Sequence, residues 1–315
     1  MEKYPEVEHG ELEAEELGSM GNRLIAAIET GGTKLLARIC DSTGKEVVAE
    51  GRWATGSSDE ALRDLSEFLE SNSDGGRLAA IGMAAFGPLM IDPESPDYGL
   101  VLATTKPGWS GANLRADLEA RLGVPVVVDS DVNAAAVAEQ AIGAGEGLPS
   151  VAYVTVGTGI GAGLAINGRS MMGVIHPEAG HLPLIRRPDD DQPSVCRFHP
   201  SCAEGLTSGT ALRKRLGEGR KLSDDPAVIG LAVDYLGQLG ANLVLAWSPH
   251  RIVWGGGAIS EASVVPSIEA ALRSALNGYG VGPAVESRGY CAPAALKDAG
   301  LEGALIMARR HALAA

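Results

Sequence analysis

Four side chains able to hold a metal ion lie close together in the sequence. The stretch Cys196-Arg-Phe-His199-Pro-Ser-Cys202 carries two thiols and an imidazole, and His181 adds a second imidazole. Structural Zn²⁺ sites use these ligands, and four of them close a tetrahedron with no position left for water. The residue types and spacing therefore predict a structural zinc that clamps a loop of little apolar content. The alternative is two unrelated thiols and a surface histidine.

A carboxylate follows an apolar run where a strand should end. The run beginning at Val126 stops at Asp129, Ser130 and Asp131, and Ala-rich sequence with helical spacing starts at Ala134. This pattern predicts a buried strand, a turn and a helix start. Open α/β sheets hold ligands at the carboxyl ends of their strands, so Asp131 is a candidate general base. Two alternatives stay open, namely that Asp131 is a helix N-cap and that Asp129 is the base.

Two similar glycine-rich segments lie on either side of this stretch. They are Glu29-Thr-Gly-Gly-Thr-Lys34 and Thr155-Val-Gly-Thr-Gly-Ile-Gly161, and each joins two apolar runs. Glycine lets backbone approach a phosphate closely, and neither segment fits the dinucleotide or Walker pattern. Ordinary tight turns are the alternative, but the matching places in two similar halves favour phosphate binding. The candidates are Gly31, Gly32, Thr33, Lys34, Gly157, Thr158, Gly159 and Gly161.

A further candidate segment is His176-Pro-Glu-Ala-Gly-His181. Glu178 offers a carboxylate that can accept hydrogen bonds from vicinal hydroxyls. His181 has one ring nitrogen for a metal and another for a substrate. The zinc loop would fix Glu178 and Glu204 beside it. We interpret His176 as a loop residue that binds no ligand.

The hydrophobic pattern predicts the elements that position these residues. In the first half the order is three strands, helix, strand, helix, strand, and the irregular stretch 92–111 precedes the second helix. Ser57 and Glu60 form a capping box at the first helix start. The segments are strands Leu24–Ile28, Leu35–Ile39, Val47–Ala49 and Leu78–Ile81, the turn Phe86-Gly87-Pro88, a helix through Leu114, Leu118 and Leu122, and the strand ending at Asp129.

The second half repeats this order. Residues 173–204 are predicted to be irregular. The glycines Gly255, Gly256 and Gly257 end a strand, where a flat base can lie against backbone, although a helix entry explains them equally. The predicted segments are strands Val151–Val156, Ala162–Ile166 and Arg251–Trp254, and helices at about 208–216, 227–247, 264–276 and Leu301–His311.

Composition limits the class of protein. The 315 residues are 45% hydrophobic and 21% charged, which suits a globular enzyme of one large or two medium domains. No apolar run approaches a membrane span and no secretory signal is visible, so we expect a cytoplasmic protein with no membrane partner. A net charge of −14 argues against nucleic acid as a partner. Four cysteines are too few for a disulfide scaffold, and Cys40 and Cys291 lie in apolar, core-like context.

The expected division has three parts. Residues 1–21 hold seven Glu and one Lys and are expected to be an acidic disordered tail. Residues 22–130 would form a smaller α/β domain, with the C-terminal helix at 300–312 packing back on it. Residues 131–299 would form a larger α/β domain with the zinc-bound loop. Asp131 would then lie in a cleft between the two domains.

Together these residues resemble the ROK family of sugar kinases, in the bacterial fructokinase branch of the actin-like ATPase superfamily. The resemblance spans roughly residues 24–310 and rests on four motifs. They are Glu29-Thr-Gly-Gly-Thr-Lys34, Asp131-Val-Asn-Ala-Ala-Ala136, His176-Pro-Glu-Ala-Gly-His181 and Cys196-x-x-His199-x-x-Cys202-x-Glu204. The stretch from Phe86 to Trp109 is similar to the same branch. The resemblance implies a two-domain actin-like ATPase (ribonuclease H-like) fold, with duplicated βββαβα units and a central cleft.

The resemblance also implies roles for the motif residues. Asp131 would activate the sugar 6-hydroxyl, and Glu178, His181, Glu204 and Gly87 would bind the sugar. His181, Cys196, His199 and Cys202 would hold Zn²⁺. The two glycine turns would hold the phosphates of ATP with Mg²⁺, and Gly255–Gly257 the adenosine. Family members are commonly homodimers.

The sequence therefore predicts ATP-dependent phosphorylation of D-fructose to fructose 6-phosphate. The alternative within enzymes is a hexokinase for mannose, glucose or an amino sugar. A sugar-sensing regulator is the rival of another class, but only an acidic, glycine-broken tail precedes Leu24, with no predicted DNA-binding helix pair.

Overall fold

The computed structural model describes residues 23–73, 77–217, 219–260 and 264–314. The predicted tail at 1–21 lies outside these residues. The chain forms two compact units. Unit 1 extends to Asp131 and takes in the chain from Leu301 onward, and unit 2 is Val132–Gly300.

Unit 1 contains a five-stranded mixed sheet of order β3-β2-β1-β4-β5. The first three strands are antiparallel neighbours, and β1, β4 and β5 run parallel. Ser57 and Glu60 form the predicted capping box before the first helix. The elements are β1 Leu24–Thr30, β2 Lys34–Asp41, β3 Val47–Ala54, α1 Ser58–Asn72, β4 Leu78–Ala85, α2 Leu114–Leu122 and β5 Val126–Ser130.

The C-terminal helix α9 (Ala299–Ala314) packs on this sheet. A Cβ atom at Gly82 of β4 would lie 1.9 Å from the carbonyl oxygen of Ala304, so glycine is what allows the helix to approach the strand. The Leu301 N–H donates to the carboxylate of Glu29 at 3.0 Å. The end of the chain is thereby fixed to the strand that leads into the first glycine turn.

Unit 2 contains a second five-stranded sheet, of order β10-β9-β6-β7-β8. Strands β6, β9 and β10 are parallel, and β7 returns antiparallel to β6. The elements are α3 Asp131–Ile142, β6 Ser150–Val156, β7 Ile160–Ile166, β8 Arg169–Ser170, α4 Ala203–Thr207, α5 Gly209–Leu216, α6 Pro226–Trp247, β9 Arg251–Gly255, α7 Val264–Leu276, α8 Pro283–Glu286 and β10 Cys291–Pro293, with 3₁₀ turns at Ala179–His181, Leu222–Asp224 and Gly257–Ile259.

Composition led us to expect no apolar run as long as a membrane span, and helix α6 differs from that expectation. It is long and apolar enough to cross a membrane, with an 18-residue window of mean hydropathy 1.5, yet 56% of that window is buried inside the protein. Its side chains Tyr235, Leu236, Leu239 and Leu243 belong to the hydrophobic core of unit 2. A core helix accounts for the same length and composition.

Most predicted segments are present, with boundaries extended by a few residues. Helix α7 spans the predicted 264–276, and 173–204 is irregular apart from one 3₁₀ turn and the start of α4. The element order of the first half recurs in unit 2, where two-residue β8 is the third strand and β10 is the last. Strands β8 and β10 and helices α4 and α8 were not predicted, since all four are too short to show a period.

Candidate active site and metal centre

In unit 1, three strands end at one edge of the sheet. The parallel registers align Thr30 with Ala85 and Ala85 with Ser130. The residues that follow are the first glycine turn, Gly87 and Asp131. The candidate residues of this unit therefore share the carboxyl edge, where open α/β sheets hold ligands.

The first glycine turn is tight and tied to its neighbours. The Gly31 N–H donates to the carbonyl of Lys34 at 2.8 Å, and the Thr55 hydroxyl donates to the carbonyl of Gly31 at 2.7 Å. The Lys106 ammonium donates to the carbonyl of Gly32. A Cβ atom at Gly32 would meet nothing within 4 Å, so this side of the turn is open to a ligand.

The two candidate bases occupy different environments. Asp129 is 6% exposed, and its Oδ1 accepts the N–H of Ser130 at 2.6 Å. Asp131 is the first residue of α3 and is only half-buried. A helix N-terminus stabilises negative charge. Burial and the backbone bond make Asp129 the less accessible of the two carboxylates.

In unit 2 the second glycine turn and the glycine run also share a sheet edge. Strands β6 and β9 are parallel, with Thr155 opposite Gly255. Gly256 has φ +94°, and a Cβ atom there would lie 2.4 Å from the carbonyl oxygen of Val156. Glycine is therefore required where the two strand ends come together.

Helix α5 begins against the second glycine turn. The Gly209 N–H donates to the carbonyl of Gly157 at 2.7 Å. The hydroxyl of Thr210 donates to the carbonyl of Thr158 at 2.8 Å. The turn carbonyls thus satisfy donors at the helix start, which fixes the turn on unit 2.

Packing explains part of the glycine pattern. A Cβ atom at Gly159 would lie 2.4 Å from Oε2 of Glu204, and one at Gly161 would lie 2.9 Å from Cγ1 of Val132. Gly157 and Gly257 have no such neighbour and leave the backbone open to approach. The sequence pattern therefore combines packing requirements with positions that a phosphate or base can reach.

In the segment from His176 to His181, the last three residues form a 3₁₀ turn. Glu178 precedes the 3₁₀ turn, and its carbonyl accepts the N–H of His181 at 3.0 Å. A Cβ atom at Gly180 would lie 1.8 Å from the carbonyl oxygen of Ile160, so glycine seats this turn on β7. His176 lies in a loop, as predicted, but it is buried, and its Nε2 lies 3.1 Å from Oε1 of Glu178.

The four predicted zinc ligands come together. One ligand atom from each of His181, Cys196, His199 and Cys202 lies within 4.8 Å of the others. Nδ1 of His181 is 3.8 Å from Sγ of Cys196 and 3.7 Å from Sγ of Cys202, and Nδ1 of His199 is 3.6 Å from Sγ of Cys196. Zn–S and Zn–N bonds of tetrahedral zinc give an S–N edge of roughly 3.6 Å. The donor set and its spacing fit zinc.

His181 faces the thiols of Cys196 and Cys202 with one ring nitrogen and a carboxylate with the other. Its Nε2 lies 3.9 Å from Oε1 of Glu204. Oε2 of Glu204 accepts the N–H of Ile160 at 3.1 Å. Glu204 therefore lies between the histidine and the second glycine turn.

Three of the four cysteines are buried, and burial raises the pKa of their thiols. Burial raises the pKa of the Cys202 thiol to about 11, the Gly205 N–H lowers it less, and neighbouring Cys196 adds to the rise. Burial likewise raises the pKa of Cys40 to about 11 and of Cys291 to about 12. Both are buried in the core, as predicted. A bound zinc would deprotonate its thiol ligands outright.

A buried ion pair supports the loop between His181 and Cys202, and the sequence pattern gave no sign of it. The carboxylate of Asp190 receives two bonds from the Arg215 guanidinium and one from the Tyr235 hydroxyl. The three residues are far apart in sequence and carry no motif, so nothing in the local pattern could have revealed their contact.

Comparison with known proteins identifies the family. The ROK family profile matches residues 25–311. The chain belongs to the ROK family. It is 33% identical to a fructokinase from Pediococcus pentosaceus, over 91% of this chain and 98% of that protein. It is 37% identical to a fructokinase from Zymomonas mobilis, over 91% of this chain and 96% of that protein.

A solved structure of a related protein supports the same family. The ROK family glucokinase from Streptomyces griseus, crystallised with glucose and AMPPNP, is 26% identical with a TM-score of 0.73, over 91% of this chain and 99% of that one. The predicted actin-like ATPase fold class and the resemblance to ROK sugar kinases are both confirmed.

Proposed function

We propose that the protein is an ATP-dependent fructokinase that converts D-fructose and ATP to fructose 6-phosphate and ADP. The observation that carries the proposal is the near full-length similarity to two fructokinases, at 33% and 37% identity. The AMPPNP-bound ROK glucokinase supports ATP as the phosphoryl donor.

Asp131 is the proposed general base. It would accept the proton of the sugar 6-hydroxyl while that oxygen bonds to the γ-phosphorus and ADP leaves. A positioned base contributes about 10²–10⁴-fold in rate. Half-burial at the sheet edge supports Asp131 over the buried Asp129.

Glu178, His181, Glu204 and Gly87 are the proposed sugar ligands. A carboxylate oxygen of Glu204 lies 3.9 Å from His181, and both belong to the segment around the metal cluster. Two carboxylates and an imidazole suit a polyol, because each can bond a separate hydroxyl.

The nucleotide would lie on the glycine segments. Gly31, Gly32, Thr33 and Lys34, with Gly157, Thr158, Gly159 and Gly161, are the proposed phosphate ligands, and Gly255, Gly256 and Gly257 would face the adenosine. Bound Mg²⁺ would neutralise phosphate charge, and zinc at His181, Cys196, His199 and Cys202 would be structural.

An ADP-release assay over a panel of sugars tests the activity. Wild-type protein should turn over D-fructose fastest, and Asp131→Asn should lower kcat by at least about 100-fold with unchanged melting temperature. Asp129→Asn is the matched comparison and should retain turnover per folded enzyme. Loss in Asp129→Asn with near wild-type turnover in Asp131→Asn would move the base to position 129.

Another hexose is the second candidate substrate, because the Streptomyces griseus relative binds glucose. The same panel decides between them through kcat/KM. A higher kcat/KM for glucose, mannose or an amino sugar than for fructose would replace the proposed substrate and leave the kinase assignment intact.

A cytoplasmic homodimer remains part of the proposal. Light scattering on the purified protein should give twice the chain mass of 32.4 kDa, and cell fractionation should recover it with cytoplasmic markers. A measured mass of one chain at the concentration used in the assays would contradict the proposed homodimer.

A further inference from the structure

His176 is buried within a surface segment. Its relative exposure is 5%, whereas Met172 and Val174 just before it are 53% and 72% exposed. Histidine is seldom fully buried without a partner for its ring nitrogens. Its burial therefore needs a reason beyond filling space.

The reason lies in its contact with Glu178. Nε2 of His176 is 3.1 Å from Oε1 of Glu178. An ionised carboxylate only accepts hydrogen bonds, so Nε2 carries the hydrogen and donates it. The buried ring thereby fixes one oxygen of the carboxylate, which sets the direction of the other.

The tip of the Glu178 side chain is partly exposed to solvent. Its backbone is held by the 3₁₀ turn, through the 3.0 Å bond from the His181 N–H. Its side chain is 37% exposed, and ordering a long exposed side chain on binding costs affinity. A hydrogen bond from the buried His176 ring orders the Glu178 carboxylate in the free protein, so less ordering remains to be done when the sugar binds.

We propose that His176 is a positioning residue for sugar binding, which orients the Glu178 carboxylate by an Nε2–H bond. The inference rests on the proposed function, in which Glu178 binds the sugar. In this role His176 acts through Glu178 and is not itself a sugar ligand. It stabilises the geometry that a hydroxyl pair requires, and its removal should weaken sugar affinity without affecting the nucleotide or the zinc.

Two variants separate positioning from packing. His176→Phe keeps an aromatic ring of similar size without a donor, and His176→Gln places an amide N–H near Nε2. His176→Phe should raise KM for fructose roughly tenfold, with KM for ATP and zinc content unchanged. His176→Gln should recover most of the affinity, and the exposed neighbour variant Val174→Ala should match wild type.

Two results would overturn the inference. One is a wild-type KM for fructose in His176→Phe. The other is loss of fructose affinity, ATP affinity and zinc together in both His176 variants, which would indicate a purely structural role.

A crystal structure of His176→Phe keeps the test independent of the substrate. If wild-type protein fails to phosphorylate fructose, the proposed function is wrong, and the Glu178 carboxylate position still decides the inference. A displaced or disordered carboxylate supports positioning by His176. An unmoved carboxylate contradicts it.

Discussion

Asp190 and Arg215 form a bidentate ion pair in the interior of unit 2, with N–O distances of 2.6 and 2.9 Å. Their side chains are 2% and 6% exposed. Asp190 lies in the loop between His181 and Cys202, and Arg215 lies in α5, whose first residues hold the second glycine turn. The pair thus links the loop that carries the four candidate metal ligands to the helix that supports that turn.

Asp190→Asn should destabilise the protein strongly. The substitution leaves a buried guanidinium without its counter-charge, which costs about 3–5 kcal/mol in the free energy of unfolding. Urea unfolding followed by circular dichroism measures it. Asp189→Asn is the control, because that exposed carboxylate pairs with Arg187 at the surface, and its midpoint should match wild type. Equal midpoints for the two variants would contradict a stabilising role for the pair.

The same pair should shape the acid side of the stability profile. Burial alone would raise the pKa of Asp190, but the bonds from Arg215 and Tyr235 outweigh it and lower the pKa from 3.8 to about 2. A depressed carboxyl pKa adds stability that is present above the unfolded pKa and is lost as pH falls through the folded one.

The difference in melting temperature between wild type and Asp190→Asn should therefore stay constant from neutral pH to about pH 5 and shrink between about pH 4 and pH 2. Comparing the two proteins cancels the acid release of any bound metal, which affects both. A constant difference down to pH 2 would show that Asp190 is not held ionised by its partners.

Patterns among residues close together in the sequence predicted most of the helices and strands of this protein. The capping box at Ser57 lies within four residues, and the apolar period of 264–276 is complete within one helix. The strand-end pattern before Asp131 predicted its place at a sheet edge. Each of these depends on neighbours in sequence, so the sequence alone contains the information.

Contacts between residues far apart in the sequence could not be predicted from patterns among neighbouring residues. Asp190 and Arg215 are 25 positions apart, and no periodicity marks their pairing. The burial of His176 was not predicted for a related reason, since tertiary packing alone decides whether a polar loop residue is buried. Strand β10 has three residues and forms only because β9 offers a parallel neighbour.

Metal removal should destabilise the zinc loop. Purified protein should contain about one zinc per chain, and a chelator should lower its melting temperature, because zinc binding is linked to folding. Cys202→Ser should lower the zinc content, whereas Cys40→Ala, a core cysteine outside the cluster, should retain it. Metal-free wild-type protein with unchanged melting temperature and activity would remove zinc from the proposal.

Thr210 should affect the nucleotide and not the sugar. Its hydroxyl donates to the carbonyl of Thr158 at 2.8 Å. Thr210→Val removes this bond and keeps the backbone N–H, so KM for ATP should rise about fivefold, equivalent to about 1 kcal/mol. Thr210→Ser retains the hydroxyl and should stay near wild type. A rise in Thr210→Ser with a wild-type KM in Thr210→Val would contradict the role of the hydroxyl and assign the effect to the methyl group.

Gly180→Ala should impair sugar binding and metal binding together. An added Cβ would lie 1.8 Å from the carbonyl oxygen of Ile160, so the 3₁₀ turn must move away from β7. Glu178 and His181 lie at the two ends of that turn, and a displacement of about 1 Å can cost about 100-fold in kcat/KM.

Gly173→Ala is the matched control, because its Cβ would lie an ordinary 3.4 Å from the nearest carbonyl oxygen. Steady-state kinetics with fructose and metal analysis of both variants measure the effect. If Gly180→Ala kept both zinc and fructose turnover, the close seating of the turn on β7 would not be what positions Glu178 and His181. If only turnover fell, the metal loop would hold His181 without help from that contact.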